Sequence, residues 1–196
     1  MALARLLNIP IFITRLTAPA IPWGEYTPRL DCFQAGTTFC VGDIEIDSFT
    51  IPHDAIDPVG FCFRAQGVKV GLVTDLGYVT DSIKFHLRGA HLLVLESNHD
   101  LEMLKVGPYP WHIKQRVMSR TGHLSNAIVS EFLADAEVFD GRARHLVLAH
   151  LSEQNNNPEV ARISAEEALN RRPVEFAFRG TLHIASQHIP LGPFEL

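Results

Sequence analysis

The run VKVGLVTDLGYVTDSIKFHLRGAHLLVLE, Val68 to Glu96, sets the fold class of this chain. Val68 to Thr74 is rich in β-branched and apolar residues and closes on Asp75 before Leu76-Gly77, a strand running into a turn. Thr80 to Leu87 reads as a helix. His91 to Glu96 (HLLVLE) is short and almost wholly apolar, the pattern of a strand buried on both faces. Strand, helix and buried strand in so short a span argue for a layered α/β domain.

Upstream, Val59 to Ala65 pairs with Val68 to Thr74 through Gln66-Gly67 as a β-hairpin, and Ile44 to Ile51 alternates as a further strand. Thr17 to Gly42, with Pro19, Pro22 and Pro28, reads as loop with short elements. Downstream, Asp100 to Lys105 is a short helix ending before Gly107-Pro108. Ser125 to Leu133 is an amphipathic helix with Ser125 as N-cap. Arg144 to Ala149 is a second buried strand. Asn157-Pro158 opens a helix that runs to about Asn170. Val174 to Ile189 reads as a short strand and a small hairpin. No linker, repeat or low-complexity stretch divides the chain, so a single domain over residues 1–196 is expected.

The 196 residues are 46% hydrophobic and 20% charged, enough for one core of ordinary composition. A formal charge of -5 and a pI near 6.0 exclude a globally basic nucleic-acid clamp and leave room for a local basic patch. Cys32, Cys40 and Cys62 form no C-x-x-C, which argues against a zinc ribbon, a redox motif or a disulfide framework. No apolar run approaches the roughly 20 residues that span a bilayer. Met1 to Leu7 lacks the basic leader and cleavage site of a signal peptide. The expectation is a cytoplasmic protein that does not engage a membrane.

Three polar residues sit where strands run into loops: His53 in IPHDAIDPVGF, Asp75 in GLVTDLG and His150 in LVLAHLSEQNN. Strand ends collect ligand-binding groups because the strand fixes a side chain that the loop exposes. Imidazole and carboxylate are common metal ligands. A lone histidine after a strand is more often a hydrogen-bonded or surface residue, so the argument rests on the three together. His123, in RTGHLSN, lies just before the helix capped by Ser125, where an imidazole could stabilise charge or give a proton to the leaving oxygen of a phosphate ester. His99 follows a strand too and is a lesser candidate. The remaining histidines read as structural or surface. The segment KVGPYPWHIKQRVMSR places Lys105, Lys114, Arg116 and Arg120 around Tyr109 and Trp111. It could grip a phosphate backbone and stack a base, or simply be a solvated face with aromatics anchoring a loop. No G-x-S-x-G, phosphate-binding loop or G-x-G-x-x-G is present.

In order, PHDAIDPVGF, GLVTDLGYVT, LLVLESNHDLEML, GPYPWHIKQRV, GHLSN and LAHLSEQNN resemble the YycJ-like branch of the metallo-β-lactamase superfamily, over nearly the whole chain after about Ile9. The resemblance implies an αββα sandwich with a two-metal cleft at the sheet edges. It implies His53 as ligand of the first metal, Asp75 as bridging carboxylate and His150 as ligand of the second. It further implies His123 as the histidine that meets the scissile phosphate. Two divalent ions, zinc or manganese, are the implied cofactors of the complete protein, and nucleic acid or another phosphodiester the implied substrate. The superfamily's H-x-H-x-D-H is absent from this chain. The fold is therefore expected to be N-terminally truncated, with MALARLLNIPIFIT as the helix and strand that follow the motif. An internal start in the gene model and a natural truncation both explain this. Weak metal binding and little hydrolysis are expected of the chain alone. The alternatives are a non-catalytic remnant serving as a binding or regulatory domain, and a small-molecule ester or phosphodiester hydrolase.

Overall fold

The computed structural model describes residues 2–25 and 28–196. Met1 of the expected first helix, and Tyr26 and Thr27 of the expected loop, lie outside the described residues. The chain runs α1 (Ala2–Leu7), β1 (Ile11–Thr14), β2 (Leu30–Phe33), β3 (Thr38–Val41), β4 (Ile44–Thr50), β5 (Val59–Ala65) and β6 (Val68–Val73). It continues through α2 (Asp81–Leu87), β7 (Leu92–Glu96), α3 (Leu101–Val106), α4 (Trp111–Val117) and α5 (Asn126–Ala134). It closes with β8 (His145–Ala149), α6 (Pro158–Asn170) and β9 (Thr181–Ile184).

Strands β3 to β9 form one sheet in sequence order. Its first half is an antiparallel meander in which Phe61 faces Leu72 and Cys62 faces Gly71 across the expected hairpin. From β6 onward every pair is parallel, with a helix in each connection. Parallel neighbours need such crossovers, and both faces of their strands are then covered. This accounts for the near-continuous apolar runs of β7 and β8.

The two faces are distinguished by the strand period of two. Phe49 and Cys62 point to the helical side and join Ile83 and Leu87 of α2, Leu133 of α5 and Ala165 of α6 in one core. The opposite face carries Phe39, Phe61 and Phe63. Phe33 of the small parallel β1–β2 sheet stacks on Phe39 with ring centroids 4.7 Å apart and meets Phe61 edge-on. Two sheets and a helical layer thus pack around the central strands.

The helix starts follow their caps. The side chains of Thr80, Asp100, Ser125 and Asn157 each accept a bond from a backbone N–H of the first turn, satisfying donors that a helix end leaves open. One expectation fails. The tail holds a 3-10 turn at Val174–Phe176 and then β9, which pairs parallel to β8, with no hairpin among the described residues. The crossover through α6 returns the chain in the same direction, so the sheet gains an edge strand. The basic segment, given no element from sequence, contains α4, which starts directly after Pro110.

Candidate metal centre

β4 runs antiparallel to β5 and β5 to β6, so β4, β6, β7 and β8 all point one way and end on one edge of the sheet. His53 follows β4, Asp75 follows β6, Glu96 closes β7 and His150 follows β8. Two glycines let the loops there close up. A Cβ on Gly77 would stand 2.3 Å from the backbone of Arg120, and one on Gly122 would stand 2.2 Å from the carbonyl of Val117. With both positions bare, the Asp75 and His123 loops meet. Asp75 and His150 hold left-handed backbone, at φ 62° and 58°. Such strain in non-glycine residues gathers at sites where the surroundings impose it.

The expected residues converge. Asp75 Oδ1 lies 3.6 Å from His150 Nε2 and 4.0 Å from His53 Nε2. His123 packs between the other two imidazoles, with ring centroids 5.1 Å from His53 and 5.3 Å from His150. The tautomers follow from the partners. His53 Nδ1 faces the carbonyl of Gly122 at 3.1 Å, and His123 Nδ1 and His150 Nδ1 each face Glu96 Oε1 at 2.7 Å. A carbonyl and a carboxylate only accept, so all three histidines carry their proton on Nδ1 and keep the Nε2 lone pair for a ligand.

Glu96 is the residue that sequence reasoning passed over. It is fully buried, and its two oxygens are used completely. Oε1 accepts from both histidines; Oε2 accepts from Leu76 N at 3.0 Å and Leu124 N at 3.2 Å. Burial pushes its pKa up, but the His123 and His150 bonds and the Leu76 N–H outweigh that and hold it near 2. The bond to Glu96, against burial and with help from Asp75, raises the His150 pKa. Asp75, Glu96, His123 and His150 bring ligand-type atoms within 4.8 Å of one another. With its oxygens committed, Glu96 orients two imidazoles rather than competing for an ion, as outer-shell carboxylates do. The signal was a lone acid ending the apolar run HLLVLE, a position where an unpaired carboxylate would be too costly to bury.

Beside the cluster opens a cleft of about 410 Å³, lined by His123, His150, Tyr109, Asn98, Arg116 and Gln187 among others. The basic segment contributes less charge to it than the sequence suggested. Lys114 is buried and donates to the carbonyl of Lys105, while Lys105 pairs with Glu102. Arg120 lies over the Tyr78 ring. Arg116 forks onto Asp54, one arm at 2.9 Å, and that bond holds the Asp54 carboxyl below its usual range against a small opposing effect of burial.

His99, the lesser candidate, stays outside the cluster. It is 1% exposed, with Nδ1 unpartnered. Burial, with His123 adding and Glu96 and Asp100 opposing, drives its pKa from 6.5 to about 4. The unfolded chain therefore takes up a proton between those values that the folded chain refuses, and stability falls as pH falls through that window. From pH ~7 to ~5 this one group is expected to remove about 2 kcal/mol. Urea unfolding of wild type and His99→Gln at both pH values checks this. The variant should show the shallower pH dependence, and equal slopes would refute the assignment.

Residues 12–151 match the model of the β-lactamase superfamily domain. The chain belongs to that superfamily, and its layered sheets with a histidine–carboxylate cluster at the strand ends are the metallo-β-lactamase fold. Within it the similarity is to the YycJ-like branch. The chain is 40% identical over 173 residues to exodeoxyribonuclease YycJ of Bacillus anthracis, covering 87% of this chain and 65% of that protein. It is 35% identical over 167 residues to exodeoxyribonuclease WalJ of Streptococcus pneumoniae, covering 83% and 61%. The chain thus spans somewhat less than two thirds of the length of these relatives. The crystal structure of the metallo-β-lactamase fold protein YhfI from Bacillus subtilis superposes with a TM-score of 0.63 at 18% identity, over 90% of this chain and 62% of that one. No helix among the described residues is long and apolar enough to cross a membrane.

Proposed function

We propose that the protein is a divalent-metal phosphodiesterase that cuts DNA, a nuclease of the exonuclease kind. The observation that carries this reading is the set of Nδ1-protonated histidines whose Nε2 atoms surround Asp75 Oδ1. That donor set fits a divalent ion: neutral imidazole nitrogens already turned outward, and a carboxylate oxygen placed for sharing between two ions. His53 and Asp75 would hold one, Asp75 and His150 the other, with zinc or manganese suited to these ligands. When bound, such ions supply Lewis-acid stabilisation of phosphoryl oxygens and an activated water.

The chain's own residues do the rest. His123, its Nδ1–H tied to Glu96, keeps Nε2 free at the cleft, where it can hold a proton against a phosphate oxygen or the leaving oxygen. Glu96 fixes the two ring planes, and Gly122 fixes that of His53. The names of the relatives favour DNA as substrate.

The test is release of p-nitrophenol from bis-p-nitrophenyl phosphate with added zinc or manganese, by the protein as expressed from its own gene. Hydrolysis that disappears in His53→Ala is expected. An inert protein that still folds would transfer the reading to a non-catalytic binding domain.

A further inference from the structure

We propose that the cleft beside the histidine cluster is a nucleoside pocket: it receives the one nucleoside joined to the phosphate that meets His123. This rests on the phosphodiesterase reading above and names the part of the substrate that the cluster itself does not touch.

The cleft opens directly from the two histidines, and its volume of about 410 Å³ is that of a small-ligand site. Its chemistry is wrong for further phosphates. Arg116 is the one guanidinium in its wall and is committed to Asp54, and Glu153 adds a carboxylate that pairs with His188 at 2.7 Å. Three neutral amides of the lining are arranged alike. Asn98 Nδ2 donates to the carbonyl of His150, Gln187 Nε2 to that of Leu151, and Asn155 Nδ2 to Ser152 Oγ. Each amide is anchored through its nitrogen on the segment His150–Ser152. Its oxygen then has no donor among the described residues. Asn155 is 1% exposed and its Oδ1 lies buried against Gly107, so Asn98 and Gln187 are the amides that offer an unpaired acceptor at the cleft. These two acceptors suit sugar hydroxyls and the N–H groups of a base edge.

The facing wall is apolar. Tyr109 is half-buried in the cleft, and Ile113 lines it too. Aromatic rings at the mouth of a site stack bases with little regard to their identity. The cleft takes one nucleoside, so the terminal nucleotide must leave its helical stack, which favours single-stranded or frayed ends.

The test is a titration of the isotope-labelled chain, followed by nuclear magnetic resonance, with deoxyadenosine 5′-monophosphate and with deoxyribose 5-phosphate, which lacks the base. The nucleotide should bind at least about tenfold more tightly and perturb Tyr109, Asn98 and Gln187. Tyr109→Ala should cut its affinity by about fivefold to a hundredfold, the measured worth of one stacked base, and erase its advantage over the sugar phosphate. Gln187→Leu, at an exposed position, should reduce the same advantage without disturbing the fold. Equal affinity for the two ligands, no binding of either, or perturbations confined to His123 and His150 would overturn the nucleoside pocket. The phosphodiesterase reading stands or falls separately, on bis-p-nitrophenyl phosphate, which carries no nucleoside.

Discussion

Glu96→Gln is expected to destabilise the protein by about 3–5 kcal/mol, although it changes a single atom. Oε1 receives two N–H donors and Oε2 receives two more. With its NH2 group toward Leu76 and Leu124 the glutamine loses two bonds in a site with no exposure to water, and with it toward the histidines it keeps them only if both imidazoles move their proton to Nε2, which removes the lone pairs a metal needs. The same change frees His123 and His150 to rotate and to exchange tautomers. Metal affinity should therefore drop about 10–100-fold, the usual cost of losing an outer-shell partner. Denaturant unfolding reads the first effect and calorimetric metal titration the second. A Glu96→Gln protein within about 1 kcal/mol of wild type would mean that the carboxylate does not carry these bonds.

Asp75→Asn separates function from folding at the centre of the cluster. Asparagine tolerates the left-handed backbone at φ 62° as well as aspartate does, and its oxygen can still accept from Thr74 Oγ1, now at 2.8 Å from Oδ2. Stability should change by less than about 1 kcal/mol. The negative charge that faces His53 and His150 is gone, however, and with it the oxygen that would be shared between the proposed ions. Metal affinity should fall by more than the roughly 100-fold upper cost of an outer-shell loss, and hydrolysis of bis-p-nitrophenyl phosphate should fall to background. Retained hydrolysis with an intact fold would remove Asp75 from the metal site.

The two substitutions differ in how visible their targets were. Asp75 stood out because a polar residue interrupts GLVT at a strand end, and local sequence shows that directly. Glu96 also ends a strand, yet it read as the last residue of HLLVLE, because its importance comes from donors supplied by residues 76, 123, 124 and 150. Lys114 misled for a matching reason. A lysine in a basic stretch reads as solvent-facing, but α4 turns this one inward onto the Lys105 carbonyl. His99 looked like its neighbours in kind and position, and only burial sets it apart.

The sequence by itself determined the layered α/β class, the starts of the capped helices, the hairpin through Gln66-Gly67 and the candidates His53, Asp75, His123 and His150. These are written in local chemistry: apolar periodicity, cap residues and polar residues at strand ends act over a few positions of the chain. Tertiary structure alone decided that β9 joins as a parallel edge strand, that Glu96 governs two histidines and that three cleft amides anchor their nitrogens on His150–Ser152. Hydrogen bonds between residues 27 and 54 positions apart fix the tautomers, and no local pattern encodes the partner of a buried polar group until the sheet has brought the two together.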